Sequence, residues 1–593
     1  MARARRLLTA AVAAGLVAVT LPGIAAADCE PVLPVADVTT GMAATGWTVA
    51  QGRTPVPFGV EVLGVATDGL GPGRDLIVVE VASPEVDAAG GIWAGMSGSP
   101  VYAPGGELIG AVGYGFSFAG SKIGGVTPAQ DMVNLLGLPS SRALARPVPK
   151  TVELDRGLAR TVARAAGVTV AEASTLARLR VPLAVSGLDS VGLGLLTRNF
   201  AHRRADGLVP FVAGSTSASA PLGAPPAAGE NFAAAIAYGN VSMNAMGTTT
   251  YVCGGQALAF GHPFLHGGPA HLGANAADAF AVVPDPVYGP FKFGQAAEPV
   301  GVVDQDRLAG VRASLGVLPE TIPIETTVHV PERGVVQTAT TDLVANDQAG
   351  FLTFASMLSV FGTAFDAVGG GFDTAGRGTA RVWWTFEGER ADGTPWRLAR
   401  GNRFASRSAA AVSASFNPGF MLDALIWLPE ENVKVTSVKV DATIEKAVRV
   451  YRVARVLMAR GNRPLEARRA VAARPGAKYR FRVVLRQFEG GTRNLDFTFR
   501  LPKNLGRFAS IGFLSNGAYW LDDCAGGFCF PRDEFFFSDA VTLDEWLDVF
   551  RSMPRDDELR IVLNRGVGRG GGVLGGVRLD GVVVGGARVT LRR

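Results

Sequence analysis

From Gly46 to Gly115, short apolar runs recur between Gly and Pro residues: Trp47-Thr48-Val49, Phe58 to Val65, Leu76 to Val81 and Leu108 to Val112. Runs of this length and spacing predict the strands of an all-β barrel or sandwich. Between Leu154 and Arg180 the spacing of Ala, Leu and Val becomes helical, and Thr169 with Ala171 to Ala177 predicts a second helix. The Ser, Ala, Pro and Gly of Gly214 to Gly229 predict a loop or linker. Short runs return at Ala233 to Tyr238, Thr249 to Val252 and Ala257 to Phe260, and continue to about Val330. Phe351 to Val368 predicts a packed helix, because Thr353, Ser356, Ser359, Thr363 and Asp366 interrupt its apolar surface. Beyond it, strand-like runs such as Arg381 to Phe386 and Tyr479 to Leu485 resume, and Val567 to Leu591 supplies closing strands.

The pattern predicts a mainly β protein. Its expected units are a β unit over 28–145, a helical connector and linker over 146–230, a second β unit over 231–345, a helical segment over 346–378 and a C-terminal β-sandwich module over 379–593. No internal repeat of fixed period is visible, which argues against a propeller or solenoid. Glycine, 76 of 593 residues, suits tight turns and barrel bends better than helices.

The N-terminus changes the picture. Met1 to Arg6 carries Arg3, Arg5 and Arg6, an apolar run follows from Leu7 to about Ile24, and Ala25-Ala26-Ala27 precedes Asp28. That layout predicts a cleaved signal peptide over residues 1–27 and a secreted or cell-envelope location. Losing the three arginines reduces the formal charge from +5 to about +2. No long Lys/Arg block remains to suggest nucleic acid, and no later apolar span suits a membrane helix. The four cysteines, Cys29, Cys253, Cys524 and Cys529, are an even number in a chain expected to be exported, where disulfides persist. The short Cys524 to Cys529 spacing suits a small closed loop, which leaves Cys29 to reach Cys253.

Candidate chemistry centres on Gly95-Met96-Ser97-Gly98-Ser99-Pro100. A serine that attacks a carbonyl needs its Oγ on a tight turn whose backbone N–H groups face the developing oxyanion. Ser97 is the candidate nucleophile, with the N–H groups of Gly95 and Ser97 as the candidate oxyanion hole. By itself the motif also fits a Gly-Ser-Pro connection between strands. Of five histidines, His262 follows the strand-like run Ala257 to Phe260 and precedes Pro263, which puts it at a strand end suited to a base. His202 lies beside Arg203 and Arg204 and reads as surface; His329 reads as a packing residue within a strand. His262, His266 and His271 lie close together, but Pro263, Gly267, Gly268 and Pro269 exclude the helix on which such spacing would make a zinc site. No metal or other cofactor is expected.

Phe58 to Val65, Gly73 to Val79, Gly90-Gly91-Ile92, Gly95 to Tyr102 and Gly125-Val126-Thr127-Pro128 resemble the SpoIVB-type serine peptidases. A second block, Ala257 to Phe264 with Phe291-Lys292-Phe293 and Val300 to Arg307, resembles the histidine-bearing half of that family. The resemblance implies a trypsin-like double β-barrel with Ser97 as nucleophile and His262 as base. The serine half precedes the histidine half here, the reverse of the family order, so the chain looks permuted. No carboxylate stands at Ala82-Ser83, where the family's acid would fall; Asp87, Glu85, Asp304 and Asp306 are the candidates for a third member, beside a dyad oriented by a backbone carbonyl. No peptide-binding PDZ segment is recognisable.

These features predict an exported serine endopeptidase acting on protein or peptide substrates. The alternative is an inactive envelope scaffold or binding protein that keeps the protease fold. Trp383, Trp384 and Trp396 could form a carbohydrate or peptide surface, although aromatic side chains in a sandwich are more often core.

Overall fold

The computed structural model describes residues 29–592 apart from 117–119, 140–149, 189–192, 195–206, 266–267, 286–288, 345–350, 370–376, 408–409, 427, 429, 468–469, 507–508, 516–539 and 567–569. The signal-peptide segment, His202, His266, Cys524 and Cys529 lie outside the described residues.

Strand outweighs helix 53% to 15%, so the expected mainly β class holds. The first β unit is a closed antiparallel barrel of six strands: β1 (Ala43–Thr48), β2 (Val56–Gly71), β3 (Arg74–Ala82), β4 (Pro100–Tyr102), β5 (Leu108–Gly115) and β6 (Ile123–Pro128). They run in the order β4-β1-β2-β3-β6-β5, and β4 pairs with β5 to close the ring. Alternation drives the closure. Phe58, Val60 and Val62 of β2 join Ile77, Val79 and Val81 of β3 in the barrel core, and the residues between them on β2, Gly59 and Glu61, face solvent. Two short helices interrupt this unit, α1 (Pro84–Ala89) and α2 (Ala129–Val133).

The connector holds less helix than the spacing predicts. Helix α3 (Arg156–Ala166) forms, capped by the Asp155 side chain, but the expected second helix is a single turn at Glu172–Ser174 followed by strand. Strand β7 (Thr151–Glu153) pairs with β8 (Thr175–Arg178), and β8 reaches β5 of the barrel. This ladder outweighs the modest helical preference of an Ala-rich stretch. Strands β9 (Val181–Val185) and β10 (Leu208–Val212) then pair in parallel.

A second closed ring comprises β11 (Asn231–Gly239), β12 (Met243–Cys253), β13 (Gln256–Ala259), β14 (Gly268–Val283), β15 (Phe291–Arg307) and β16 (Gly310–Leu315). Its antiparallel pairings run β12-β13-β16-β15-β14-β11 and return to β12. The double-barrel expectation is met by these two rings.

The strands expected to open the C-terminal module instead extend the second barrel's sheet. Strands β17 (Thr321–Val330) and β18 (Val335–Val344) form a hairpin; β17 pairs in parallel with β21 (Lys434–Glu445), beside β19 (Gly378–Glu389) and β20 (Pro395–Ser406). Apolar helices α4 (Phe351–Val368), at the position predicted for a packed helix, and α5 (Ala410–Ile426) cover this extension, and their buried residues share one core with the barrel. Trp384 and Trp396 belong to that core; Trp383 is half exposed beneath the Arg555 guanidinium.

The sandwich therefore begins at Val450. One sheet holds β22 (Val450–Arg460), β23 (Glu466–Ala467), β25 (Lys478–Gln487), β26 (Thr492–Arg500) and β30 (Val582–Val584). The other holds β24 (Ala470–Ala472), β27 (Ala509–Ser515), β28 (Glu558–Asn564), β29 (Gly571–Arg578) and β31 (Gly586–Arg592). Phe481 and Leu485 of the first meet Ile511, Phe513 and Ile561 of the second. Helix α6 (Leu543–Ser552) crosses back to the larger core through Trp546 and Phe550. No helix among the described residues is long and apolar enough to cross a membrane.

Candidate active site

The serine turn leaves the first barrel after α1 and is held mainly by the second. Ala94 N–H donates to the Pro290 carbonyl (2.9 Å) and the Ala94 carbonyl accepts from Lys292 N–H (2.8 Å). Thr248 of β12 donates its N–H to the Ser97 carbonyl (2.8 Å) and its hydroxyl to the Gly95 carbonyl (3.1 Å), while the Thr250 hydroxyl donates to the Gly98 carbonyl (2.8 Å). The turn needs glycine at both ends. Gly95 and Gly98 sit at φ 99° and 93°, and a Cβ on Gly98 would lie 2.0 Å from the Thr248 carbonyl oxygen.

His262 enters from the end of β13 through two residues in left-handed conformation, Phe260 (φ 68°) and Gly261 (φ 63°). A phenylalanine there is strained, at a cost of about 1–3 kcal/mol. Its ring lies stacked on Phe264 and edge-on to Phe232 in the core, and the Thr127 hydroxyl of the first barrel donates to the Gly261 carbonyl (2.5 Å). These contacts offset the strain and aim the imidazole across the junction of the barrels.

The two side chains meet. His262 Nε2 lies 2.8 Å from Ser97 Oγ, across 165 residues of sequence, and His262 Nδ1 lies 2.8 Å from the Pro263 carbonyl oxygen. Both side chains are fully buried, at 0% exposure. Burial, and secondarily the nearby Arg178 cation, push the imidazole pKa down to about 3 against the opposing pull of the Pro263 carbonyl. The ring is therefore neutral at pH 7. A carbonyl can only accept, so Nδ1 carries the proton and Nε2 presents its lone pair to the Ser97 hydroxyl, the tautomer a general base requires. Neither Gly95 N–H nor Ser97 N–H donates to a partner among the described residues, whereas Gly98 N–H is taken by the Val112 carbonyl. The two candidate oxyanion donors are thus free.

None of the candidate acids receives the His262 Nδ1 proton. Asp87 lies on α1, exposed and paired with Lys122; Glu85 lies in the first turn of the same helix. Asp304 bonds Arg312 and the Ser314 hydroxyl. Asp306 is the closest in chain logic: its buried carboxylate accepts from Phe264 N–H (2.8 Å) and Leu265 N–H (2.6 Å), fixing the loop that supplies the Pro263 carbonyl. Arg178 also donates to that carbonyl (3.3 Å).

Three supporting residues have no role assigned from the sequence. Thr127 and Thr248 gave no signal, since threonines in strands are ordinary. Lys292 did give one, as a cation inside an apolar strand. It is wholly buried against Gly95, donates to Asn231 Oδ1 (2.8 Å), and burial lowers its pKa to about 7. Asn231 in turn donates to the Gly52 and Ala277 carbonyls, one from each barrel unit. Among the described residues no group of three His, Cys, Asp or Glu side chains is placed to hold a metal ion; His271 lies on β14 with its Nε2 buried and unbonded. The Cys29–Cys253 disulfide, one of the expected pairs, ties the chain start to β12.

Compared with known protein families, with curated proteins and with solved structures, the chain matches none.

Proposed function

We propose that this chain is an exported serine endopeptidase in which Ser97 attacks the scissile carbonyl and His262 takes its proton. The observation that carries the reading is the 2.8 Å contact between Ser97 Oγ and Nε2 of a neutral His262 whose ring proton sits on Nδ1. As Oγ attacks, its proton passes to Nε2, the imidazolium is held through Nδ1–H by the Pro263 carbonyl, and the unpaired Gly95 and Ser97 N–H groups receive the oxyanion. The proton then goes to the leaving amine, and water repeats the cycle on the acyl-enzyme. A carbonyl stabilises the imidazolium less than a carboxylate does, so a slow enzyme is expected. The resemblance of both sequence blocks to the SpoIVB-type peptidases, in permuted order, supports the same reading.

Full burial of the dyad favours a second reading, the inactive scaffold. A peptide bond reaches Ser97 only if the covering side chains move aside. The two readings separate with a fluorophosphonate probe on the purified mature chain. Labelling that Ser97→Ala abolishes supports the peptidase; absence of labelling, together with unchanged processing of candidate substrates by Ser97→Ala, refutes it.

A further inference from the structure

The outer face of the sandwich sheet built on β22, β25 and β26 is a cationic strip. Alternation along β25 sends Tyr479, Phe481, Val483 and Leu485 into the core and the even-numbered residues outward. Those outward positions include Lys478, Arg480, Arg482 and Arg486. Arg452 and Arg455 of β22 flank them on one side and Arg500 of β26 on the other. The sequence hides the strip, because each cation is separated from the next by a core residue and no Lys/Arg block forms.

The pairing makes the arrangement costly in isolation. Arg452 stands directly across from Arg486, and Lys478 directly across from Arg500. Like charges opposite one another on a sheet destabilise it. Asp496 is the single carboxylate among the described strand residues on this face, and its two oxygens are taken by Arg482 in a forked pair at 2.6 and 2.7 Å. Arg480 and Arg500 turn to backbone carbonyls. Arg452, Arg455, Lys478 and Arg486 are exposed and have no acidic partner among the described residues.

We propose that this face binds a linear, phosphate-bearing polymer without bases, laid along β25. Residues two apart on a strand are about 6.7 Å apart, so Lys478, Arg480 and Arg482 repeat at that spacing and Arg486, beyond Val484, extends the charge to roughly 27 Å, matched to an extended polyanion. Guanidinium forks suit phosphate oxygens. The outward strand residues include no aromatic side chain on which a base would stack and no large exposed apolar side chain to enter a bilayer, and the exposed Phe488 ring just beyond β25 lies under the Arg407 guanidinium. The proposal is independent of the Ser97 chemistry.

The test is binding of long-chain inorganic polyphosphate to the full mature chain, with a triple variant Arg452→Gln, Lys478→Gln, Arg486→Gln. The control variant carries Arg156→Gln, Arg160→Gln and Arg164→Gln on the exposed face of α3. The triple variant is expected to bind at least about tenfold more weakly and to lower the slope of log affinity against log salt by about 2, from three lost phosphate contacts; the control keeps both. Removing like charges leaves the fold intact, which thermal unfolding checks. Equal weakening by the control, or no binding by the parent chain, overturns the proposal. So does tighter binding to single-stranded DNA or to phosphatidylglycerol vesicles than to polyphosphate.

Discussion

Replacing Lys292 with methionine is expected to stabilise the protein at pH 7 and to destabilise it at pH 10.5. The lysine is fully buried, and among the described residues a single neutral acceptor, Asn231 Oδ1, meets its ammonium. Burial lowers its pKa from 10.5 to about 7. The unfolded chain therefore holds a proton that the native chain releases between those values, and stability rises with pH across that window. At about 1.4 kcal/mol per unit, the native state forfeits on the order of 4–5 kcal/mol at and below pH 7, and nothing above pH 10.5. Methionine keeps the apolar stem against Gly95 but leaves Asn231 Oδ1 without its donor, a loss of about 1–3 kcal/mol at every pH. The net effect is a gain of roughly 1–4 kcal/mol at pH 7 that changes sign before pH 10.5. Denaturant unfolding of parent and variant at a series of pH values between 6.5 and 10.5 measures it. A destabilisation of equal size at both ends would refute the reasoning, since it would mean that the charge is compensated by a group other than Asn231.

Three further outcomes follow from the same geometry. His262, with a pKa near 3, is expected to remain neutral through pH 5 in imidazole NMR of the resting chain, and a titration near 6.5 would show that the dyad is solvated. Because the unfolded histidine titrates near 6.5, its burial also removes stability as pH falls from 6.5 towards 3. Gly98→Ala is expected to cost about 3 kcal/mol or more and to abolish probe labelling, because its Cβ meets the Thr248 carbonyl and Phe260 N–H; a variant with parental melting would contradict the packing of this turn. Removing the Cys29–Cys253 disulfide by Cys→Ala at both positions is expected to lower stability by up to about 5 kcal/mol, as its closure spans 224 residues, and an unchanged midpoint would place the N-terminal segment outside the cooperative unit.

The chemistry-bearing residues were legible where local sequence dictates local shape. Two glycines around Ser97 and a proline after His262 mark a tight turn and a strand end, and both features are present. What joins them was not legible. The Thr248 and Thr127 hydrogen bonds connect segments more than 130 residues apart, and nothing in a threonine's neighbourhood advertises such a partner. The orienting group was also hidden: Asp304 and Asp306 are as acidic as a catalytic aspartate, and only the fold shows that one is spent on Arg312 and the other on the loop after His262. The sheet membership of β19 to β21 is not legible either, because only β21 reaches β17, in parallel and across two intervening helices. Ala171 to Ala177 carries helix-forming residues, yet the edge of β5 recruits its end as strand.

The clamp on the Ser97 turn has a consequence for timing. Ser97 belongs to the first barrel, but its carbonyl, its neighbours' carbonyls and the backbone at Ala94 are secured by Thr248, Thr250, Pro290 and Lys292. A nascent chain emerging from the ribosome cannot assemble the turn until some two hundred further residues have been made. The Ser97–His262 pair therefore forms only once the second barrel has been made, about halfway along the 593-residue chain.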